Sequence, residues 1–189
     1  MNHTIRFAVA ALTLLAMPAA AQAPDPGRIK AQQEAMTPLA RLDGIWRGTA
    51  WTQLPGGRHE VTQTERIGPF LGGSLKMIEG RAYNADGSVG FNALGIISFE
   101  PSTQKYSLHS YALGRSGDFP LELTPTGYVW QIPAGPGAII RYTATITADH
   151  WREIGERIAG SAPPMQIFEM NLTRVGDTKW PVGDPVPMR

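Results

Sequence analysis

The 189-residue chain contains no cysteine. That absence excludes disulfides, Cys-ligated zinc, iron–sulfur clusters and thiol catalysis together. Without disulfides, stability in an oxidising compartment rests on core packing alone. Excess charge is missing too: 17 basic residues face 16 acidic ones, lysine is scarce, and no run of Lys or Arg occurs. A surface that tracks phosphates needs clustered positive charge, so nucleic acid is not an expected partner. Long apolar runs are also lacking. The one of note, Phe7 to Met17 (FAVAALTLLAM), falls short of the ~20 residues that a membrane-spanning helix requires.

That run has the flanks of an export signal. A short positive start ends at Arg6, and Pro18 to Ala23 closes on Ala21-Gln22-Ala23, the small-x-small pattern that signal peptidase accepts. The pattern predicts a signal peptide over residues 1–23, cut after Ala23, in preference to a buried N-terminal helix. No Arg-Arg pair precedes the run, which argues against twin-arginine export. No cysteine is present to carry a lipid. The expected location is therefore periplasmic or secreted. Loss of Arg6 leaves 16 basic against 16 acidic residues, a net charge of zero.

Residues 24–43 read as a leader with a short amphipathic helix, on which Ile29, Met36 and Leu39 share a face and Pro38 interrupts. Such a segment either lies across a barrel end as a lid or hangs as a loose tether. From Gly44 to Val175 the texture changes. Short runs rich in Thr, Tyr, Trp, Ile and Val are cut every ten residues or so by turn chemistry. Pro55-Gly56-Gly57, Asn84-Ala85-Asp86-Gly87, Gly114-Arg115-Ser116-Gly117 and Gly135-Pro136-Gly137 are such breaks, where Asn and Gly accept positive φ. The spacing predicts about ten strands joined by hairpins. Closing that meander removes its two free edges. The expected fold is all-β: a closed up-and-down antiparallel barrel over 44–175, with a short N-terminal helix. A two-sheet sandwich is the competing arrangement. A membrane barrel is disfavoured, because polar residues interrupt both faces and leave no outward apolar band. Residues 176–189, with Pro181, Pro185 and Trp180, read as an extended tail against the outside.

Leu42-Asp43-Gly44-Ile45-Trp46 resembles the Gly-x-Trp opening of the lipocalins and the wider calycin superfamily, and Asn171-Leu172-Thr173-Arg174 resembles their closing strand. That resemblance implies that Trp46 closes one barrel end and that Arg174 stacks on its face, a structural pair. The stretches Gly68 to Leu75, Ser107 to Phe119, Arg141 to Glu156 and Phe168 to Arg174 are similar to exported bacterial lipocalin-like proteins grouped as a domain of unknown function. Trp46-Arg47-Gly48 also resembles the nitrobindins, haem-binding barrels whose ligating His lies in the closing strand. Aligned on Arg174, that position is Ile167, which cannot ligate iron. No cofactor is expected.

Strand parity sorts inside from outside. With Trp46 and Arg174 inward, Phe168, Met170 and Leu172 follow, and apolar parity adds Phe91, Ala93, Ile97, Phe119, Leu121, Trp130, Ile140, Tyr142 and Ala144. Phe91, Trp130, Tyr142 and Met170 would line an apolar cavity, or fill it as an ordinary core. His109, in parity with Tyr111, is the candidate for a polar group inside; a place on the solvent face is the alternative. His59 and His150 are expected at the surface. The histidines lack metal-site spacing, so no metal is expected. Strand carboxylates usually form surface ladders with Arg. Glu153 or Glu79 is the candidate for an inward one.

The preferred function is a periplasmic or secreted carrier or sensor for a small, largely apolar molecule. Two alternatives stand beside it. One is an enzyme doing acid–base or isomerase chemistry with His109, Tyr111 and Glu153; the other is an interaction module with a filled lumen. Oligomeric state and ligand identity are not legible.

Overall fold

Ten strands follow one another as hairpins, each pairing with the next in sequence. They are β1 (Gly44–Leu54), β2 (Gly57–Phe70), β3 (Leu75–Tyr83), β4 (Val89–Glu100), β5 (Lys105–Ala112), β6 (Arg115–Thr124), β7 (Gly127–Pro133), β8 (Ala138–Ile146), β9 (His150–Ala159) and β10 (Met165–Gly176). The structure is a computed structural model that describes residues 24–183 and residue 188. Residues 1–23, where a signal peptide is expected, lie outside the described residues. Every pairing is antiparallel, and β10 returns to pair with β1, so the sheet closes into a barrel.

The seam is tight. Trp46 faces Arg174 and Ala50 faces Met170 across it. At Gly48 a Cβ would come within 2.0 Å of the Asn171 carbonyl oxygen, so only glycine lets the two strands meet there. The interior parity runs as the sequence predicts: Trp46 and Ala50 on β1, Ile97 and Phe99 on β4, Leu121 on β6, Ala144 on β8, Met170 and Leu172 on β10 are all buried.

One barrel end is closed by the leader. A helix α1 (Pro26–Met36), capped by the Asp25 carboxylate that accepts from the Arg28 N–H, runs into a 3-10 helix (Thr37–Leu42) at the interruption near Pro38. Met36, Leu39 and Leu42 are buried against Trp46, Ile67 and Ile97, which makes the leader a lid rather than a tether. Ile29 departs from the expected shared face and stays 41% exposed. Side chains fasten the lid: the Tyr106 hydroxyl donates to the Ala35 carbonyl at 2.7 Å, and Arg28 pairs with Glu100.

Trp46 seals this end. It is fully buried, donates its indole N–H to the Leu42 carbonyl at 2.8 Å, and meets Trp151 edge to face at 6.0 Å. Arg174 does not stack on it. Its guanidinium donates to the Asp43 carbonyl and the Asp177 carboxylate, both at 2.7 Å, because backbone and carboxylate acceptors at the strand end offer stronger partners than a ring face. Beyond β10, Trp180 lies on the outer wall, where Arg66 covers it at 4.7 Å and its carbonyl sits over Gly68, and residues 184–187 of the expected tail lie outside the described residues.

Candidate functional site

Above the Trp46 layer the lumen is not filled. A cavity of about 490 Å³ opens toward the rim opposite the lid. Most strands that line it contribute alternate residues, as a pleated wall does, with β10 breaking the alternation at Ile167 and Phe168 where its register shifts. Ala50 comes from β1, Val61 and Gln63 from β2, Phe91 and Ala93 from β4, Leu108 and Ser110 from β5, and Met170 from β10. Small residues make the room, among them Gly80, Ala82 and Gly95. One side is an aromatic wall. Trp130 and Tyr142 stack at 4.4 Å with their planes 14° apart, and Phe168 meets Tyr142 edge-on at 5.7 Å.

Five of the seven residues singled out in the sequence line this space: Phe91, Trp130, Tyr142, Glu153 and Met170. His109 and Tyr111 do not. On β5 the inward parity belongs to Leu108 and Ser110, because Leu108 faces the fully buried Ile97 across the β4–β5 pairing. His109 therefore points outward, with Nδ1 2.6 Å from an Asp118 carboxylate oxygen and its ring 4.6 Å from that of Tyr111. Tyr111 is half exposed on an outer groove it shares with Leu113, Arg115 and Trp180. Glu79 is outward as well, held by Arg66 and, at 2.7 Å, by Arg81. These contacts keep its carboxyl below the usual range. His150 is exposed, and His59 is an exposed rim residue bonded to Asn84.

At the inner end of the cavity sit two buried carboxylates. Glu153 accepts from the Tyr128 hydroxyl at 2.7 Å and from the Trp130 indole N–H at 3.2 Å. Burial raises its pKa against the pull of these donors, and burial beside Glu153 pushes the Tyr128 hydroxyl well up. The Trp151 N–H lies near this carboxylate but reaches no acceptor in hydrogen-bond geometry. Glu65 is the second carboxylate. Its Oε1 accepts from Gln63 at 2.7 Å, while Oε2 is buried with no partner. Burial, with the Glu153 charge adding to it, pushes the Glu65 carboxyl up to about 8. The group fits only because Gly80 lies across from it: a Cβ there would be 2.7 Å from Oε1.

Glu65 was missed in the sequence as an inward residue, yet a signal for it exists. The two-residue turn Pro55-Gly56 pairs Leu54 with Gly57, and counting back places Glu65 opposite Trp46 on the same face. A strand carboxylate facing a core tryptophan cannot belong to a surface ladder.

The lining contains neither Lys nor Arg. Among the described residues no group of three His, Cys, Asp or Glu is arranged to hold a metal ion. Ile167, where the nitrobindin pattern needs its haem-ligating His, lines the cavity and offers iron no donor, so the residues present do not fit that mode of haem binding. The lumen thus combines an apolar, aromatic body with one acidic end.

The ten-strand antiparallel barrel fits a lipocalin-like fold. It is similar to the crystal structure of Rv2717c from M. tuberculosis, with a TM-score of 0.56 and 14% sequence identity over 74% of this chain and 96% of that one. At this identity the likeness is one of fold. No protein-family profile and no curated protein matches the chain. A barrel of this kind is compatible with ligand binding. Among the described residues no helix is long and apolar enough to cross a membrane.

Proposed function

We propose that this is an exported binding protein, a carrier or sensor, that holds a small, largely apolar molecule in the barrel. The observation that carries the reading is the open, aromatic-lined cavity of about 490 Å³, a size typical of small-molecule sites. Kinship with the exported lipocalin-like barrels of the calycin superfamily belongs to the same reading, supported by Trp46 at the closed end and Arg174 at the seam. Export rests on the signal pattern of residues 1–23. N-terminal sequencing of the protein recovered from outside the cytoplasm should start at Pro24; a start far from it would overturn that part.

Binding is tested with an environment-sensitive apolar dye. It should bind one to one and quench tryptophan fluorescence, since Trp130 and Trp151 line the cavity. Drug-sized ligands gain roughly 0.3 kcal/mol per heavy atom, which makes micromolar affinity the expectation. Ala93→Phe, at an inward small residue opposite Gly80, should fill the space and abolish binding while the barrel stays folded. Dye binding no better than to a control protein, or unfolding of Ala93→Phe by overpacking, would mean a full lumen.

A second reading is favoured by one observation: two carboxylates in the same lumen with unequal surroundings. Glu65 as a proton donor and Glu153 as an acceptor would make an acid–base pair for an enzyme. His109 and Tyr111 play no part in it.

A further inference from the structure

The lining of the cavity carries acidic groups and no basic partner for them, while the buried Lys76, inward on β3 at the closed end, is already paired with Asp43 at 2.6 Å. Glu65 and Glu153 reach its inner end, no Lys or Arg lines it, and its one histidine, His59, lies exposed at the rim on Asn84. A buried ligand must be matched to that end. A buried carboxylate without a cation is costly, and an unpaired buried acceptor forfeits a hydrogen bond. Glu65 Oε2 is such an acceptor, buried with nothing donating to it on a residue that lines the cavity. The carboxylate of a fatty acid would meet two carboxyl groups at this end and no Lys or Arg to pair with. A neutral alcohol could donate once. An ammonium group supplies three donors and the missing positive charge. The walls suit it as well, since the faces of Trp130, Tyr142 and Phe168 attract a cation as well as an apolar body.

We infer that the ligand is a lipophilic amine, its ammonium group donating to Glu65 and Glu153 and its apolar body lying against the Trp130–Tyr142 wall. The inference rests on the ligand-binding reading and names the chemical class of its ligand. The groups that act on Glu65 agree with it: Gln63 beside it, Glu153 across the lumen, and Glu79, outward on β3 where Arg66 and Arg81 hold it, bring no cation into the cavity. Burial raises the pKa of Glu65, and an ammonium group beside it would pull the pKa back down and ionise it.

The test compares three ten-carbon probes at pH 7: decylamine, decanol and decanoate, titrated against the full mature chain by tryptophan fluorescence. Decylamine should bind about tenfold or more tighter than decanol, the gain from one charge-assisted hydrogen bond, and decanoate should bind weakest. Glu65→Gln and Glu153→Gln keep side-chain shape, and each should shrink the ratio of decylamine to decanol affinity. Decanoate binding as tightly as decylamine would overturn the inference, and this arm needs no variant. Amine preference that survives in the double variant would overturn it as well. If decanol binds and the amine has no advantage, the amine assignment falls and the cavity reading stands. If none of the three binds, both fall.

Discussion

Glu65 is the residue on which most turns, and its burial leaves a signature in stability. In the unfolded chain its carboxyl titrates near the ordinary 4.5, and in the barrel near 8. Between those values the folded state holds a proton that the unfolded state has released. The stability linked to this group is therefore whole below about pH 4.5 and is lost as pH rises toward 8. By pH 7 the loss comes to roughly 3 kcal/mol, at ~1.4 kcal/mol per pH unit. Glu153, also raised, works in the same direction. Glu169, lowered to about 2 chiefly by its bond from Asn171, works in the opposite one and loses its contribution only in acid. Stability should peak in mild acid. Glu65→Gln removes the titration, so in urea unfolding it should be clearly more stable than the wild type at pH 8, with the gap narrowing sharply at pH 5. A gap that does not change with pH would show that Glu65 is not buried as described.

Among the elements, the closed end is where sequence and structure meet most directly. Trp46 links β1 to the 3-10 helix of the lid through the Leu42 carbonyl and to β9 through Trp151. Trp46→Ala should lower stability by about 3–5 kcal/mol, the usual cost of deleting a buried large aromatic. A urea-midpoint shift worth under ~1 kcal/mol would contradict the sealing role. The strands themselves were legible because Gly, Pro and Asn punctuate them: β4 runs from Val89 and β8 from Ala138, each just past a glycine or asparagine turn. Parity was legible wherever one face is plainly apolar, as on β10 and β4. It failed on β5, whose Tyr106, Leu108, His109 and Tyr111 give no clean alternation, and the register against Ile97 on β4 decides the matter. It failed for β2 for another reason. Gln63 and Glu65 look like solvent-facing residues, and only the hairpin register from Leu54 and Gly57 turns them inward. The acidic end of the cavity is thus written in pairing rather than in residue type, which is why polarity alone hid it.

At the scale of the molecule, the barrel was legible because nearly every connection is a hairpin, a local event with local signals. Closure was not local, and nothing near β1 names β10 as its neighbour; only the argument against free edges, and the resemblance at Trp46 and Arg174, pointed to it. That seam has a consequence for how the chain reaches its native state. All other strand pairs join residues a turn apart, whereas Trp46 and Arg174 meet across most of the barrel sequence. The entropy of closing a loop grows with its length, so the seam is the pairing with the largest ordering cost and the natural last step. Until it forms, the acidic cleft is not a cavity at all but one face of an open, curling ribbon whose first and last strands each leave one edge unpaired. Two such ribbons can satisfy each other's edges, β1 of one chain zipping to β10 of another, once chain concentration approaches the effective concentration of a chain's own ends. The topology that leaves the closed barrel without free edges thus leaves its open precursor able to pair reciprocally with another chain, an outcome that higher concentration during folding favours.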